Sequence, residues 1–327
     1  MTAPRCPFHP PTAVAQVPPG PVYRRPWKIF HAPQIRQEIS QLDAQADCQR
    51  IVYLLTCYEF PFDITRSLEL ALFHTFGSRS VSRLLDATEE FAQRGQQRYD
   101  DTSMLIAQFM EAGWEQDLGH RAIERMNAIH ARYRIRNDDF LFVLWTFIDF
   151  PMVWMASFGW RAFSAHESHA WFNYWIGIGQ RMGLHDLPVD KASFDLWIQT
   201  YEQNEMVYDD SNARVAQATL SVMAHWFPAV LRRWVQPIVV CMLRPPLRQA
   251  LGWATPPQWR IACIHGVLLL RARIKSFISI ERYPNHLASR GYRSYPGGPM
   301  QPEQLGPATH AKHIAGPSST HTDEIAS

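Results

Sequence analysis

Residues 140–160 read FLFVLWTFIDFPMVWMASFGW, a 21-residue stretch in which Asp149 is the only charge. Its length alone would let a helix cross a bilayer. Asp149 and Pro151 stand at its centre, however, and polar helical segments flank it closely with no positive-inside asymmetry. The stretch is therefore read as the buried central helix of a large helical domain, with peripheral contact to a membrane left open. Outward from it, between about residues 46 and 280, apolar positions recur at spacings of three and four, and alternating strand-like runs are scarce. The expected fold is all-α, a single large helical domain.

Several helix starts are legible. Asn137 precedes Asp138 and Asp139, a cap followed by acids that suit the positive end of the helix dipole. Ser164-Ala-His-Glu167 is a capping box that opens an aromatic helix ending at Gly183. Thr255 before Pro256 predicts a further start, as do residues 209–212. Residues 1–45 read as an extended arm, with eight prolines before Trp27 and no signal-peptide layout. The helical domain is placed at 46–285. Residues 286–327, rich in Pro, Gly, Ser, Thr and His, are expected to be a disordered tail.

Composition narrows the function classes. The chain has 327 residues, 46% hydrophobic and 13% aromatic, which excludes disorder as its dominant state. Its 32 basic and 30 acidic residues leave a net charge of +2, so no broad footprint for nucleic acid is present. Only Lys28, Lys191, Lys275 and Lys312 are lysines; the other basic residues are arginines, which supply forked donors for carboxylates and phosphates. The five cysteines are scattered and form no Cys-x-x-Cys pair. That argues against a zinc ribbon, a thioredoxin-type site or a covalently attached c-type haem, and points to a reducing, cytoplasmic compartment.

Fourteen histidines invite metal hypotheses. His166 and His169 share a helix face, but Glu167 is explained by the capping box and the zinc-protease pattern needs a spacing of four. No Glu is followed three residues later by His, which disfavours a di-iron bundle. His310, His313 and His321 are most simply solvated. No G-x-S-x-G elbow occurs, and Gly177-Ile-Gly179 lies within a helix pattern. Two segments remain. Arg98-Tyr-Asp-Asp-Thr102 places Arg98 and Thr102 four apart on one face, which a surface arginine and a helix start also explain. Arg125-Met-Asn-Ala-Ile-His130-Ala-Arg-Tyr-Arg134 places Asn127, His130 and Arg134 on one stripe beside an apolar one. Spacing alone favours a hydrogen-bonded core histidine. The alternative is an imidazole that holds haem iron while a guanidinium pairs with a propionate.

At these segments the chain resembles the oxygenase family that groups the mycophenolic-acid-pathway prenyl-chain-cleaving enzyme with the rubber-cleaving latex-clearing proteins. The likeness runs from about Leu70 to about Trp253. It is carried by His74-Thr-Phe-Gly77, Val81-Ser-Arg-Leu-Leu-Asp-Ala-Thr88, Arg98-Tyr-Asp-Asp-Thr102, Arg125-Met-Asn-Ala-Ile-His130, Asn137-Asp-Asp-Phe140 and the Met-Gly-Leu turn at Met182. It is nearest to the fungal branch. The resemblance implies a helical fold around one non-covalent haem b, with His130 as the iron ligand. Arg134 matches an arginine near the haem edge, Asn127 lies on the same helix, and Arg98 and Thr102 match pocket residues. Where the rubber-cleaving branch has a lysine, this chain has Asp101; where that branch has an arginine, it has Asn127. Both departures argue against polymeric rubber as the substrate. The fungal enzyme has an N-terminal membrane anchor without an equivalent in the proline-rich residues 1–45, so a soluble or peripheral placement is expected.

What the resemblance implies in function is dioxygen chemistry on a small apolar alkene, with oxidative C=C cleavage. Asp101 is a candidate proton relay, and Phe142, Trp145, Phe150 and Trp154 are candidate pocket walls whose equally good explanation is core packing. The alternatives are another haem enzyme, such as a peroxidase or monooxygenase, and a non-catalytic, membrane-associated haem binder.

Overall fold

A computed structural model of the chain describes residues 33–278, 284–288 and 291–307. Thirteen α-helices and no strand occur among the described residues. In order they are α1 (Pro33–Gln41), α2 (Cys48–Leu54), α3 (Pro61–Thr75), α4 (Arg79–Ala87), α5 (Glu90–Ala112), α6 (Asp117–His130), α7 (Asn137–Phe158), α8 (Ala165–Arg181), α9 (Lys191–Glu205), α10 (Asp210–Ala224), α11 (Ala229–Met242), α12 (Pro245–Ala250) and α13 (Gln258–Phe277). A single π turn, Leu55–Glu59, joins α2 to α3.

α7 is the stretch that decided the reading of the fold, and it runs through the middle of the domain against α3, α8, α9 and α13. It is the one described helix long and apolar enough to cross a membrane, and most of that apolar window is buried by its neighbours. Its single mid-helix charge is satisfied inside the protein. Lys191 Nζ donates to Asp149 Oδ1 at 2.8 Å, and Arg244 donates to Asp149 Oδ2. Burial pushes the carboxyl upward, but Arg244 and Lys191 outweigh that and hold it below the ordinary carboxylate range.

The caps divide. The Ser164 box forms as expected, with the Glu167 N–H donating to Ser164 Oγ at 3.1 Å and the Ser164 N–H to Glu167 Oε2 at 2.7 Å. Asp209 caps α10 by accepting from the Ser211 N–H at 3.0 Å. Asn137 is instead the first helical residue. Its amide bridges to the backbone of His185, which pins α7 to the turn after α8. α13 starts at Gln258 behind Pro257, three residues past the expected Thr255.

Both domain boundaries need correction. α1 lies inside the stretch expected to be an extended arm, because its Ile35 and Ile39 are buried in the main core. Residues 291–307, expected to be disordered, form a strap across α5 and α6. Tyr292 and Leu305 plug the core. Gln108 Nε2 donates to Met300 O at 2.8 Å, Arg121 Nη1 to Glu303 Oε1 at 2.9 Å and Arg125 Nε to Leu305 O at 2.7 Å. A few irregularly spaced apolar anchors in a polar segment have no periodicity to read, which is why composition misled. His310, His313, His321 and residues 1–32 lie outside the described residues.

The turn from α5 to α6 brings the backbones of Gly113 and Gly119 into close approach. Gly113 ends α5 at φ +79°, and a Cβ on Gly119 would sit 1.9 Å from Gly113 O. A backbone oxygen cannot swing away as a flexible side chain can. Gly119→Ala is therefore expected to displace α6 and cost about 3 kcal/mol, the upper end of overpacking penalties. Urea unfolding would show it, and an unchanged midpoint would refute it.

Candidate functional site

A cavity of about 220 Å³ lies between α4, α5, α6, α7 and α8. α7 lines it with Phe140, Val143, Leu144 and Phe147, spaced three, one and three, a single helical stripe. α5 contributes Arg98, Thr102, Leu105, Ile106 and Phe109 by the same rule. α6 contributes Met126, Ile129 and His130, and the turn beyond it adds Tyr133 and Arg134. Trp175 and Ile178 of α8 form the floor, and Pro307 of the strap closes one side. A second, apolar chamber of about 70 Å³ shares Leu72, Thr102, Ile106 and Phe147 with the first. Thr102 thus stands between two apolar spaces.

His130 ends α6 at the cavity wall. Its Nδ1 is buried with no hydrogen-bond partner, and its ring meets Phe140 edge-on at 5.2 Å. A buried ring nitrogen left unpaired costs free energy, so it marks a position that expects a partner. Burial, with the nearby Arg98 charge adding to it, pulls the imidazole down to about 4. At neutral pH the ring is uncharged and keeps a free lone pair.

Arg98 is held by α5 itself, its guanidinium donating to Thr102 Oγ1 one turn on. Thr102 Oγ1 in turn donates to Arg98 O at 2.9 Å, which fixes its rotamer. Burial pulls the guanidinium down while Asp101 and Glu90 pull it up, and it still forms no ion pair among the described residues. Neither carboxylate of the lining serves it: Glu90 accepts from Arg94 Nη2 at 2.7 and 2.6 Å. Asp139 is already clamped by Tyr201 Oη at 2.6 Å, Ser80 Oγ at 2.7 Å and Arg136 Nη2 at 2.7 Å.

The predicted residues separate into those at the wall and those away from it. Arg98, Thr102, His130 and Arg134 line the cavity. Asp101 does not; it accepts from Tyr295 Oη on the strap, and burial raises its carboxyl above the ordinary range. Asn127 turns outward, its Nδ2 donating to Arg181 O at 2.9 Å. The stripe expected to join 127, 130 and 134 fails because α6 stops at His130, so Arg134 reaches the cavity from the turn. Phe142, Trp145, Phe150 and Trp154 are core rather than wall: Phe142 stacks on Tyr201 at 4.7 Å, Phe150 lies 4.9 Å from the His74 ring, and Trp145 and Trp154 donate to Asp195 and Asp63. The wall is the next stripe round the same helix. Trp175, Tyr133 and Pro307 carried no sequence signal for the site.

Residues 73–273, more than half of the chain, match the family described as "ER-bound oxygenase mpaB/B'/Rubber oxygenase, catalytic domain". The chain belongs to this family. It is 28% identical over 243 residues to the ER-bound oxygenase mpaB' of Penicillium brevicompactum, covering 68% of this chain and 57% of that protein. It is 29% identical over 211 residues to the ER-bound oxygenase mpaB of Penicillium roqueforti, covering 59% and 71% respectively. A second Penicillium brevicompactum relative, ER-bound oxygenase mpaB, is 29% identical over 222 residues and is covered to 57% of its length. The chain thus spans little more than half the length of two of these relatives. All the cavity residues except Leu72 and Pro307 fall within the matched region. The relatives are named as ER-bound, which is not a cytoplasmic assignment.

Proposed function

We propose that this chain is a haem b-dependent oxygenase that uses dioxygen to cleave a C=C bond of a small apolar alkene of prenyl or terpenoid type. The observation that carries the reading is the unpartnered, buried, neutral His130 in a cavity that also holds Arg98 without an ion pair. The donor set fits a metallated macrocycle better than a bare ion. No group of three or more His, Cys, Asp or Glu side chains able to hold a metal ion occurs among the described residues, whereas iron already bound in a porphyrin would need only a single protein side chain such as His130. Arg98 and Arg134 at the wall supply cations for its propionates.

Bound haem would supply the redox-active iron for dioxygen chemistry. The chain's part is positional. His130 offers an uncharged ring nitrogen, and the α5 backbone and Thr102 hold Arg98 in place. Thr102 Oγ1 gives its single proton to the Arg98 carbonyl and accepts from the Arg98 guanidinium, so its part is to position that cation at the wall. The aliphatic and aromatic walls bind an alkene by exclusion of water, with no polar group wasted on it. Cleavage balances without an added reductant: the C=C bond and the O–O bond break, two C=O bonds form, and both oxygen atoms come from dioxygen.

The visible spectrum of purified protein, with a pyridine haemochrome assay, tests the cofactor. Near-unit haem b is expected, followed by labelled oxygen in both carbonyl fragments when prenylated alkenes are supplied under labelled dioxygen. Colourless protein that refuses added haem would sink the reading. Turnover that needs peroxide and takes up no dioxygen would favour the peroxidase alternative.

The His130 environment also sets a pH dependence. The folded protein holds this ring at about 4 against 6.5 for an unperturbed histidine, so the unfolded chain binds more protons between those values. The stability contributed by keeping it neutral is complete above pH 6.5 and drains away as the pH falls toward 4. The thermal midpoint of the haem-free protein should drop over that window, and the drop should shrink in His130→Phe.

A further inference from the structure

α13 is barely part of the domain that carries it: among its residues only Ala272 and Lys275 are buried. Its inward hold is an ion cluster, Arg271 and Lys275 to Asp63 of α3, beside Leu268 against the main core and His265 edge-on to Phe158 of α7 at 5.0 Å. Outward, Trp259, Val267, Leu270 and Phe277 form one stripe, each more than 60% exposed. α11 packs beside α13 and leaves a stripe of its own, in which Val230 is 74% and Trp234 54% exposed. Isolated apolar residues on a surface need no explanation, but two neighbouring helices each exposing a continuous stripe do. Arg232 and Arg233 on α11 and Arg260 and Arg273 on α13 are also exposed. Neither helix contains an Asp or a Glu.

We propose that the α11–α13 face seats the protein on an anionic bilayer surface, with the helices lying in the interface plane. The uncharged run IACIHGVLLL, residues 261–270, is too short to span a bilayer and suits burial to the depth of the headgroups. Trp234 and Trp259 are the residue type that settles at that depth. The arginines decide among occupants. A second copy docking through the same face would set arginine against arginine, because a two-fold contact is self-complementary. Residues 1–32 add Arg5, Arg24, Arg25 and Lys28 and contain no acid, so they cannot neutralise the face either. An anionic lipid surface accepts the apolar stripe and the basic rim together. The relatives' description as ER-bound does not say which face meets the membrane, and this assignment does not depend on haem.

The test is flotation of the full-length protein with phosphatidylcholine vesicles, with and without phosphatidylserine. Binding is expected to require phosphatidylserine and to weaken as salt is raised. Val267→Asp with Leu270→Asp alters only exposed positions and should lower the bound fraction about tenfold while circular dichroism stays unchanged. Arg232→Glu with Arg233→Glu should remove the phosphatidylserine preference. Cys263 is exposed while Cys48, Cys57 and Cys241 are buried, so in a Cys6→Ser background it takes an environment-sensitive fluorophore selectively. Its emission should shift to the blue on adding the anionic vesicles. Three results would overturn the assignment: a Val267/Leu270 double variant that floats like the parent, a label that stays in water, or a parent dimer that the double variant converts to monomer.

Discussion

Replacing His130 with alanine is expected to leave a folded, colourless protein. The side chain ends α6, lines the cavity and has no hydrogen bond of its own, so its removal breaks no internal network. Its loss takes away the one neutral imidazole at the wall, and haem affinity should fall by more than about a hundredfold, beyond what outer-shell changes cost. The thermal midpoint of the haem-free form at neutral pH should move little, since a ring with a buried, unpaired nitrogen contributes little net stability. The two readouts separate a ligand from a structural residue. A variant that purifies with full haem would remove His130 as the iron ligand, and one that fails to fold would mean the ring is core after all. Arg98→Ala is the milder counterpart, weakening haem retention while leaving the iron ligand in place.

Asp63→Asn should produce a loss of stability as large as that of Gly119→Ala. This carboxylate is fully buried in the first turn of α3. It accepts from Trp154 Nε1 of α7 at 3.0 Å and from Arg271 Nη1 of α13 at 2.7 Å, with Lys275 Nζ at 3.7 Å. One acid therefore ties three helices together, and an asparagine there removes the buried carboxylate that Trp154, Arg271 and Lys275 share. Breaking a buried pair in this way costs about 3–5 kcal/mol; the partial exposure of Arg271 puts the expectation at about 3 kcal/mol. Urea unfolding would register it, and a midpoint within error of the parent would show that water already screens the cluster. α13 should also lose its protection against proteolysis before the rest of the domain does, because Asp63 is its principal inward anchor.

The helical class and the central position of α7 were legible because 3.6-residue periodicity persists through most of the described chain. The phase of α7 was not. Aromatic and aliphatic residues occupy every side of it, so no polar face reveals which stripe meets the cavity. Phe142, Trp145, Phe150 and Trp154 drew attention by size, while Phe140, Val143, Leu144 and Phe147 do the lining. Arg98 and Thr102 were legible as a pair because four residues make one helical turn, and the structure joins them by a hydrogen bond. Arg134 was grouped with Asn127 and His130 by the same arithmetic, which assumed a helix continuing past the residue where α6 ends. Asp101 was read as pocket chemistry because its partner, Tyr295, is 194 positions away, on a strap that no local pattern announces.

That strap also fixes an order of assembly. A chain is synthesised from its N-terminus, and domains fold as their residues emerge. α4 to α8, which make most of the cavity, are complete long before residues 291–307 appear. Until then the cavity lacks Pro307, and the sites that Tyr292 and Leu305 later fill lie open on the nascent domain. Birth therefore delivers an unfinished vessel with an apolar seam, which must be shielded or kept in motion until the closing segment arrives. A resident group can be sealed in at that final step, whereas whatever the cavity turns over must still pass the finished wall.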